Sequence, residues 1–159
     1  MKHIVGIADM KVSSNPDDEI ITYALGSCLG VTVFDPVAGV AGMIHIMLPS
    51  SNTNPEKARE NPYMFVDTGI PALFKACYKL GADKSRMMLK VAGGASRHDA
   101  ETDNFQIGKR NMLVLKKLLW KNNVLIDSQD VGDKVSRTMA LRVKDGTVTL
   151  KINNEEKPL

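Results

Sequence analysis

The sequence predicts an α+β fold, a mixed or antiparallel β core flanked by two or three helices, and three observations carry that expectation. Short apolar runs follow one another with only turn signals between them over the first fifty and the last thirty residues, so strands are neighbours in sequence instead of alternating regularly with helices. Two stretches, 62–80 and 107–120, repeat apolar residues at helical spacing. Near the end an Asp145-Gly146 pair sits between alternating runs, a strong hairpin signal.

In chain order, "HIVGIADMKVS" reads as a first strand and "SNPDDE" as a polar turn leading into "IITYAL". After Gly26-Ser27-Cys28 comes "LGVTVF", with Val31 and Val33 on one strand face and Thr32 and Phe34 on the other. "DPVAG" is a turn, "VAGMIHIML" the returning strand, and residues 50–61 a polar loop. Asn61 followed by Pro62 fits a helix start. Val66, Ile70, Leu73, Phe74 and Cys77 then form the buried stripe, Gly81 is the expected end, and Pro71 predicts a kink or break near Gly69. "RMMLKVAGG" is a strand entering a glycine turn, and "ASRHDAETDNFQ" a loop. The helix from Ile107 to Trp120 should bury Ile107, Val114, Leu115, Leu118 and Leu119, with Lys109, Arg110, Lys116, Lys117 and Lys121 on its wet side. "NVLIDSQDVG" is another strand, "SRTMALRVKDGTVTLKIN" the hairpin, and residues from about 153 to 159 a frayed tail on a single domain, 1–159.

Composition narrows the function classes. The 159 residues are 43% hydrophobic and 25% charged, ordinary for a globular chain, and a formal charge of +3 is too mild to argue for nucleic acid. Cys28 and Cys77, 49 positions apart, make neither a disulfide framework nor a zinc-spaced set. No long apolar leader or membrane-length run stands in the sequence, so the expectation is a cytoplasmic protein with reduced thiols.

The chemistry-bearing pair is Cys28 with His45. If Phe34 pairs with Gly39 across the "DPVAG" turn, positions summing to 73 face one another, and 28 and 45 are such a pair. A register shifted by two leaves them diagonal on the same face, and only an odd slip separates them. A thiol beside an imidazole is a candidate nucleophile with its base, and pairing would lower the thiol pKa. Gly26 and Gly30 would give a carbonyl room to approach, amides near Ser27 and Cys28 could form an oxyanion hole, and Thr22 is the nearest acceptor to orient the base.

The run "TYALGSC", the Asp-Pro turn and "MIHIMLP" together resemble the chemoreceptor glutamine deamidase family CheD. "AGGAS", "IGKRN" and the late "DVGDKVSRT…KDGTV" hairpin follow in that family's order along nearly the whole chain. The resemblance implies a fold similar to the catalytic domain of cytotoxic necrotizing factor and a Cys–His–Thr triad, here Cys28 as nucleophile, His45 as base and acid, and Thr22 as its orienter. It implies an enzyme that converts receptor glutamines to glutamates with release of ammonia, acting on chemoreceptor cytoplasmic helices and binding and stimulating the phosphatase CheC. No cofactor, no metal, no nucleic acid and no membrane insertion are expected from the residues themselves. Gly26, Ser27, Gly30, Gly93 and Gly94 are the candidate oxyanion and substrate-groove residues. A docking module without turnover, or a thiol or metal binder using Cys28, His45 and His98, are the alternatives. Cys77 reads as core. The run around His98, with Asp99, Glu101 and Asp103, could hold a cation, and Gly93-Gly94 an anion. Asn111, near a buried stripe, either supports the site or caps a strand.

Overall fold

The structure, a computed structural model, describes residues 1–96 and 106–159. Ten strands form two five-stranded sheets. The first holds, in spatial order, β1 (Lys2–Ile4), β3 (Glu19–Leu25), β8 (Arg137–Arg142), β9 (Val148–Ile152) and β10 (Glu155–Pro158). The second holds β2 (Asp9–Ser13), β5 (Val40–Ile46), β4 (Leu29–Asp35), β6 (Met88–Gly93) and β7 (Ser128–Val131). Two pairs, β1–β3 and β6–β7, are parallel and the rest antiparallel, so the fold is α+β with mixed sheets.

The layering follows from the apolar pattern. Strands β4 and β5 are buried at every residue because both faces are covered. Leu29, Val31, Val33, Ile44 and Ile46 turn towards helices α2 (Val66–Lys79) and α3 (Ile107–Lys121). Phe34, Ala41 and Met43 turn the other way, onto Ile20, Leu25, Met139, Leu141 and Leu150 of the first sheet. The alternation read in "LGVTVF" is therefore the alternation between two cores. Cys77 is fully buried in the helix-side core, against Gly42. No helix among the described residues is long and apolar enough to cross a membrane.

Several elements differ from the sequence reading. The first run is two strands in two sheets: the chain crosses over at Gly6-Ile7-Ala8, with Ala8 left-handed at φ 57°. Period-two alternation is the same on either side of such a crossing, so it leaves no trace in the pattern. Residues 50–61 are not all loop, since Pro55–Glu60 forms the short helix α1, capped by Asn54. Asn61 does cap Pro62, but only a single tight turn follows. The Leu48–Phe65 bridge holds Phe65 extended, so the break falls there and α2 runs unbroken through Pro71. At its other end the amides of Gly81 and Ala82 cap the carbonyls of Tyr78 and Cys77, with Gly81 left-handed as expected.

In α3 the buried residues are Gly108, Asn111, Met112, Leu115 and Leu119, whereas Ile107, Val114 and Leu118 lie at the margin. The stripe is rotated from the expected one because a glycine and an asparagine take buried positions that a hydrophobicity pattern skips. Only Ser128–Val131 of the "NVLIDSQDVG" run is strand. The tail does not fray: β10 pairs with β9, and Lys90 Nζ donates to the Leu159 carbonyl at 2.8 Å.

Candidate active site

The site lies where the two sheets meet. His45 on β5 faces the first sheet, and Thr22 on β3 reaches it: Thr22 Oγ1 is 2.7 Å from His45 Nδ1. The same hydroxyl donates to the Val5 carbonyl at 2.8 Å. A carbonyl can only accept, so the single hydroxyl proton goes to Val5, and Thr22 must accept from Nδ1–H. That fixes the tautomer and leaves Nε2 with the lone pair. Nε2 is buried and has no hydrogen-bond partner. A buried imidazole nitrogen held unpaired is costly unless something outside the fold uses it.

The observed register pairs Gly30 with His45, so paired positions sum to 75 instead of 73. Cys28 lies one residue before β4 and two before Gly30, the partner of His45, and it packs against the core between the two sheets, the side on which His45 meets Thr22. The thiol makes no bond to Nε2 in this resting arrangement.

Cys28 stands on a loop that the backbone forces outward. A bulge between Thr22 and Leu25, with Ala24 left-handed at φ 56°, shifts the register before the last pair of β3, Leu25 with Arg137. All three following carbonyls are then tied into the protein body. Gly26 O accepts from Ala95 N at 2.9 Å, Ser27 O from Asn111 Nδ2 at 3.1 Å, and Cys28 O from Gly94 N at 2.9 Å. In a trans peptide the amide points opposite to the preceding carbonyl. Anchoring the Gly26 and Ser27 carbonyls inward thus turns the Ser27 and Cys28 N–H groups outward, beside the thiol. Neither donates to another residue among the described residues. Two outward amides next to a nucleophile are the donor set an oxyanion requires.

The glycines divide by role. Gly26 has open space around it. Gly30 does not: a Cβ there would meet Leu25 at 2.8 Å and Met139 at 2.9 Å, so the space expected for substrate is filled by core. Gly93 and Gly94 lie behind the Cys28 loop, both at positive φ, and a Cβ at Gly93 would stand 2.2 Å from the Cys28 carbonyl oxygen. The Gly94 amide is already used on that carbonyl. Asn111 is the residue whose role the sequence left open. It is fully buried, and its Nδ2 also donates to Met47 O at 3.2 Å, tying the Cys28 loop to the end of the His45 strand. Its Oδ1 is buried without a partner.

Burial dominates the electrostatics. It pushes the Cys28 thiol up, against a lowering contribution from its own backbone amide, and it pushes the His45 imidazole down. The resting pair is therefore neutral thiol and neutral imidazole, and the lowered thiol expected from pairing is not found. Cys77 is pushed up to about 12 by burial. No group of acidic, His or Cys side chains among the described residues could hold a metal ion. His98, Asp99, Glu101 and Asp103 lie outside the described residues.

Comparisons with known proteins agree in direction. The family described as CheD chemotactic sensory transduction matches residues 47–152, a span that begins just past His45. A relative from Syntrophus aciditrophicus named probable chemoreceptor glutamine deamidase CheD 1 is 51% identical over 148 residues, covering 93% of this chain and 92% of its own. One from Solibacter usitatus, named probable chemoreceptor glutamine deamidase CheD, is 46% identical over 156 residues, 98% of this chain and 92% of its own. An alignment that long spans Thr22, Cys28 and His45. Among solved structures, Neisseria meningitidis protein NMB0706 of family DUF152 aligns with a TM-score of 0.45 at 9% identity, covering 82% of this chain and 62% of that one.

Proposed function

The chain belongs to the CheD family, and from that membership and the geometry around Cys28 we propose that it deamidates glutamine side chains of chemoreceptors to glutamate in the cytoplasm, through Cys28, His45 and Thr22. The carrying observation is the inter-sheet bond that leaves His45 Nε2 unprotonated and unpartnered, on the strand position that pairs two residues from Cys28.

The chemistry starts from the neutral pair. As a glutamine carboxamide enters, Nε2 takes the thiol proton while sulfur bonds to the carbonyl carbon. The negative oxygen sits against the Ser27 and Cys28 amides. The imidazolium then returns its proton to the nitrogen, the C–N bond breaks, and ammonia leaves a thioester. Water repeats the cycle, with Nε2 as base, sulfur as leaving group and glutamate as product. Each turnover consumes one water, yields one ammonia, and adds one negative charge to the receptor. Thr22 holds the ring by accepting from Nδ1–H and keeps Nε2 aimed without itself gaining or losing a proton. A neutral hydroxyl stabilises the imidazolium less than a carboxylate would, consistent with an imidazole that stays neutral at rest.

The test is incubation of a chemoreceptor cytoplasmic fragment with the protein, followed by mass spectrometry of its peptides. Amide-to-acid conversion at defined glutamines, abolished in Cys28→Ala, is the expected result; conversion that survives Cys28→Ala refutes it. The family resemblance also brings CheC as a second partner, bound at the face around Cys28 and stimulated in its phosphatase activity. Because Gly26 is open where Gly30 is not, Gly26→Trp is the substitution that should weaken CheC and receptor binding together. Simultaneous, independent binding of both partners would refute a shared face.

A further inference from the structure

Helix α3 leaves the Cys28 loop and shows solvent an unusual outer face. Leu113 is 64% exposed and Trp120 79% exposed, seven residues apart on one side of the helix. The residues three and four away from Leu113 are its neighbours on a helix surface, and they are Lys109, Arg110, Lys116 and Lys117. Lys116 and Lys117 are also the preceding neighbours of Trp120, so they fill the gap between the two apolar side chains on both sides. Lys121 adds a fifth exposed cation, and the helix carries no acid. None of the five cations makes an ion pair or side-chain hydrogen bond among the described residues. An apolar strip led by an aromatic and rimmed by charge of one sign has the anatomy of an interface, with nothing among the described residues to cover it.

We propose that this face of α3 is a docking site for an acidic helix of the protein substrate, an inference that rests on the deamidase reading. Charge complementarity selects the partner: five cations without an ion pair among the described residues favour a surface rich in Asp and Glu, with apolar side chains to cover Leu113 and Trp120. The site and the strip share one helix, and the protein-sized substrate is the strip's proposed owner. Gly108 packs its backbone against Gly94 and Ala95, and Asn111 holds the Ser27 carbonyl, so the first turn of α3 is fixed to the site. Trp120 lies nine residues beyond Asn111, about 14 Å along the axis at 1.5 Å per residue. Leu113 and Trp120 point to the side of α3 opposite Asn111, so only a substrate large enough to extend past the first turn of the helix onto its outer face reaches both Cys28 and the strip. Such a site holds a macromolecule while leaving the chemistry at Cys28 untouched.

Trp120 is the chain's one tryptophan, so its emission reports on the face directly. The experiment titrates a chemoreceptor cytoplasmic fragment into Cys28→Ala protein while following that emission. In parallel, wild type and Lys116→Glu/Lys117→Glu are compared in deamidation of the fragment and of a short glutamine peptide cut from it. The expected result is a blue-shifted emission on binding, weakened by added salt. For the fragment, the double variant should raise KM about tenfold, the scale of losing two exposed ion pairs, with kcat within about twofold and peptide turnover unchanged. Deamidation of the fragment with an unchanged KM in the double variant, or no change in Trp120 emission, overturns the docking site and leaves the deamidase reading standing. Absence of any deamidation by wild type, with the emission change present, removes the deamidase reading instead and keeps the acidic docking partner. Emission that responds to phosphatidylcholine vesicles containing phosphatidylglycerol but not to the fragment assigns the face to lipid and overturns the proposal.

Discussion

Replacing Asn111 by Leu keeps its branching and number of heavy atoms and removes both bonds that Nδ2 makes, to Ser27 O at 3.1 Å and Met47 O at 3.2 Å. The stability effect is small because opposing changes cancel. Two carbonyls lose a donor, at about 1 kcal/mol each, but the buried, unpartnered Oδ1 disappears with its own desolvation cost of about 1–3 kcal/mol. Activity has no such compensation. The Ser27 carbonyl is what holds the Cys28 amide outward, and once released that peptide can rotate its N–H away from the oxyanion position. Complete loss of one oxyanion donor costs about 10²–10³ in kcat. The bonds from Ala95 to Gly26 and from Gly94 to Cys28 still flank the peptide, so the expected fall lies near the lower end, about 10²-fold in kcat. KM should change little. Asn111→Asp has the same shape but no donor and should fall at least as far. The assay is steady-state ammonia release from a receptor fragment, with thermal melting as the control. Wild-type kcat in Asn111→Leu, or in Asn111→Asp, would refute the argument that the inward carbonyls organise the outward amides.

Three further outcomes follow from the same geometry. Thr22→Val removes the acceptor for Nδ1–H without changing shape, so kcat should drop by part of the roughly 10²–10⁴-fold worth of acid–base catalysis, and an unchanged rate would remove Thr22 from the mechanism. Because burial raises Cys28 and lowers His45, native alkylation of Cys28 should be slow at neutral pH and gain speed only above the ordinary thiol range, with kcat/KM losing activity to acid only below about 6.5; a thiol that titrates below neutrality would contradict the neutral resting pair. Asp35 is buried, which alone would raise its carboxyl, but the Arg86 guanidinium and the amides of Asp83, Ala38 and Val37 outweigh that and hold it well below the usual range. A depressed carboxyl contributes stability above its unfolded pKa of about 3.9 and loses it as pH falls, so Asp35→Asn should lower the melting temperature at neutral pH and flatten its decline in acid; parallel melting curves would count against it.

What the sequence made legible is what a single strand pair can encode. The "DPVAG" turn and the apolar runs beside it defined the β4–β5 hairpin, whose register lies two positions from the expected one and leaves Cys28 just before the strand, two residues from the partner of His45. Parity survives a slip of two because side chains alternate; the pairing partner does not, and that is why Gly30, not Cys28, stands opposite His45. Contacts between sheets were harder to read. Thr22 could be named as the nearest acceptor, but its hydroxyl has direction only because the chain crosses at Gly6–Ala8 and leaves the Val5 carbonyl facing it. No period or turn signal marks that crossing. The role of Asn111 stayed open, between supporting the site and capping a strand, for a related reason. A hydrophobicity stripe assigns a buried asparagine to the margin, although a fully buried amide in a helix must be spending its donors on something. Here it spends them on the two backbone segments that carry Cys28 and His45. The polar residue that breaks an apolar stripe is therefore the informative one: its burial is unfavourable in isolation, and the loop it holds is the one that carries the nucleophile.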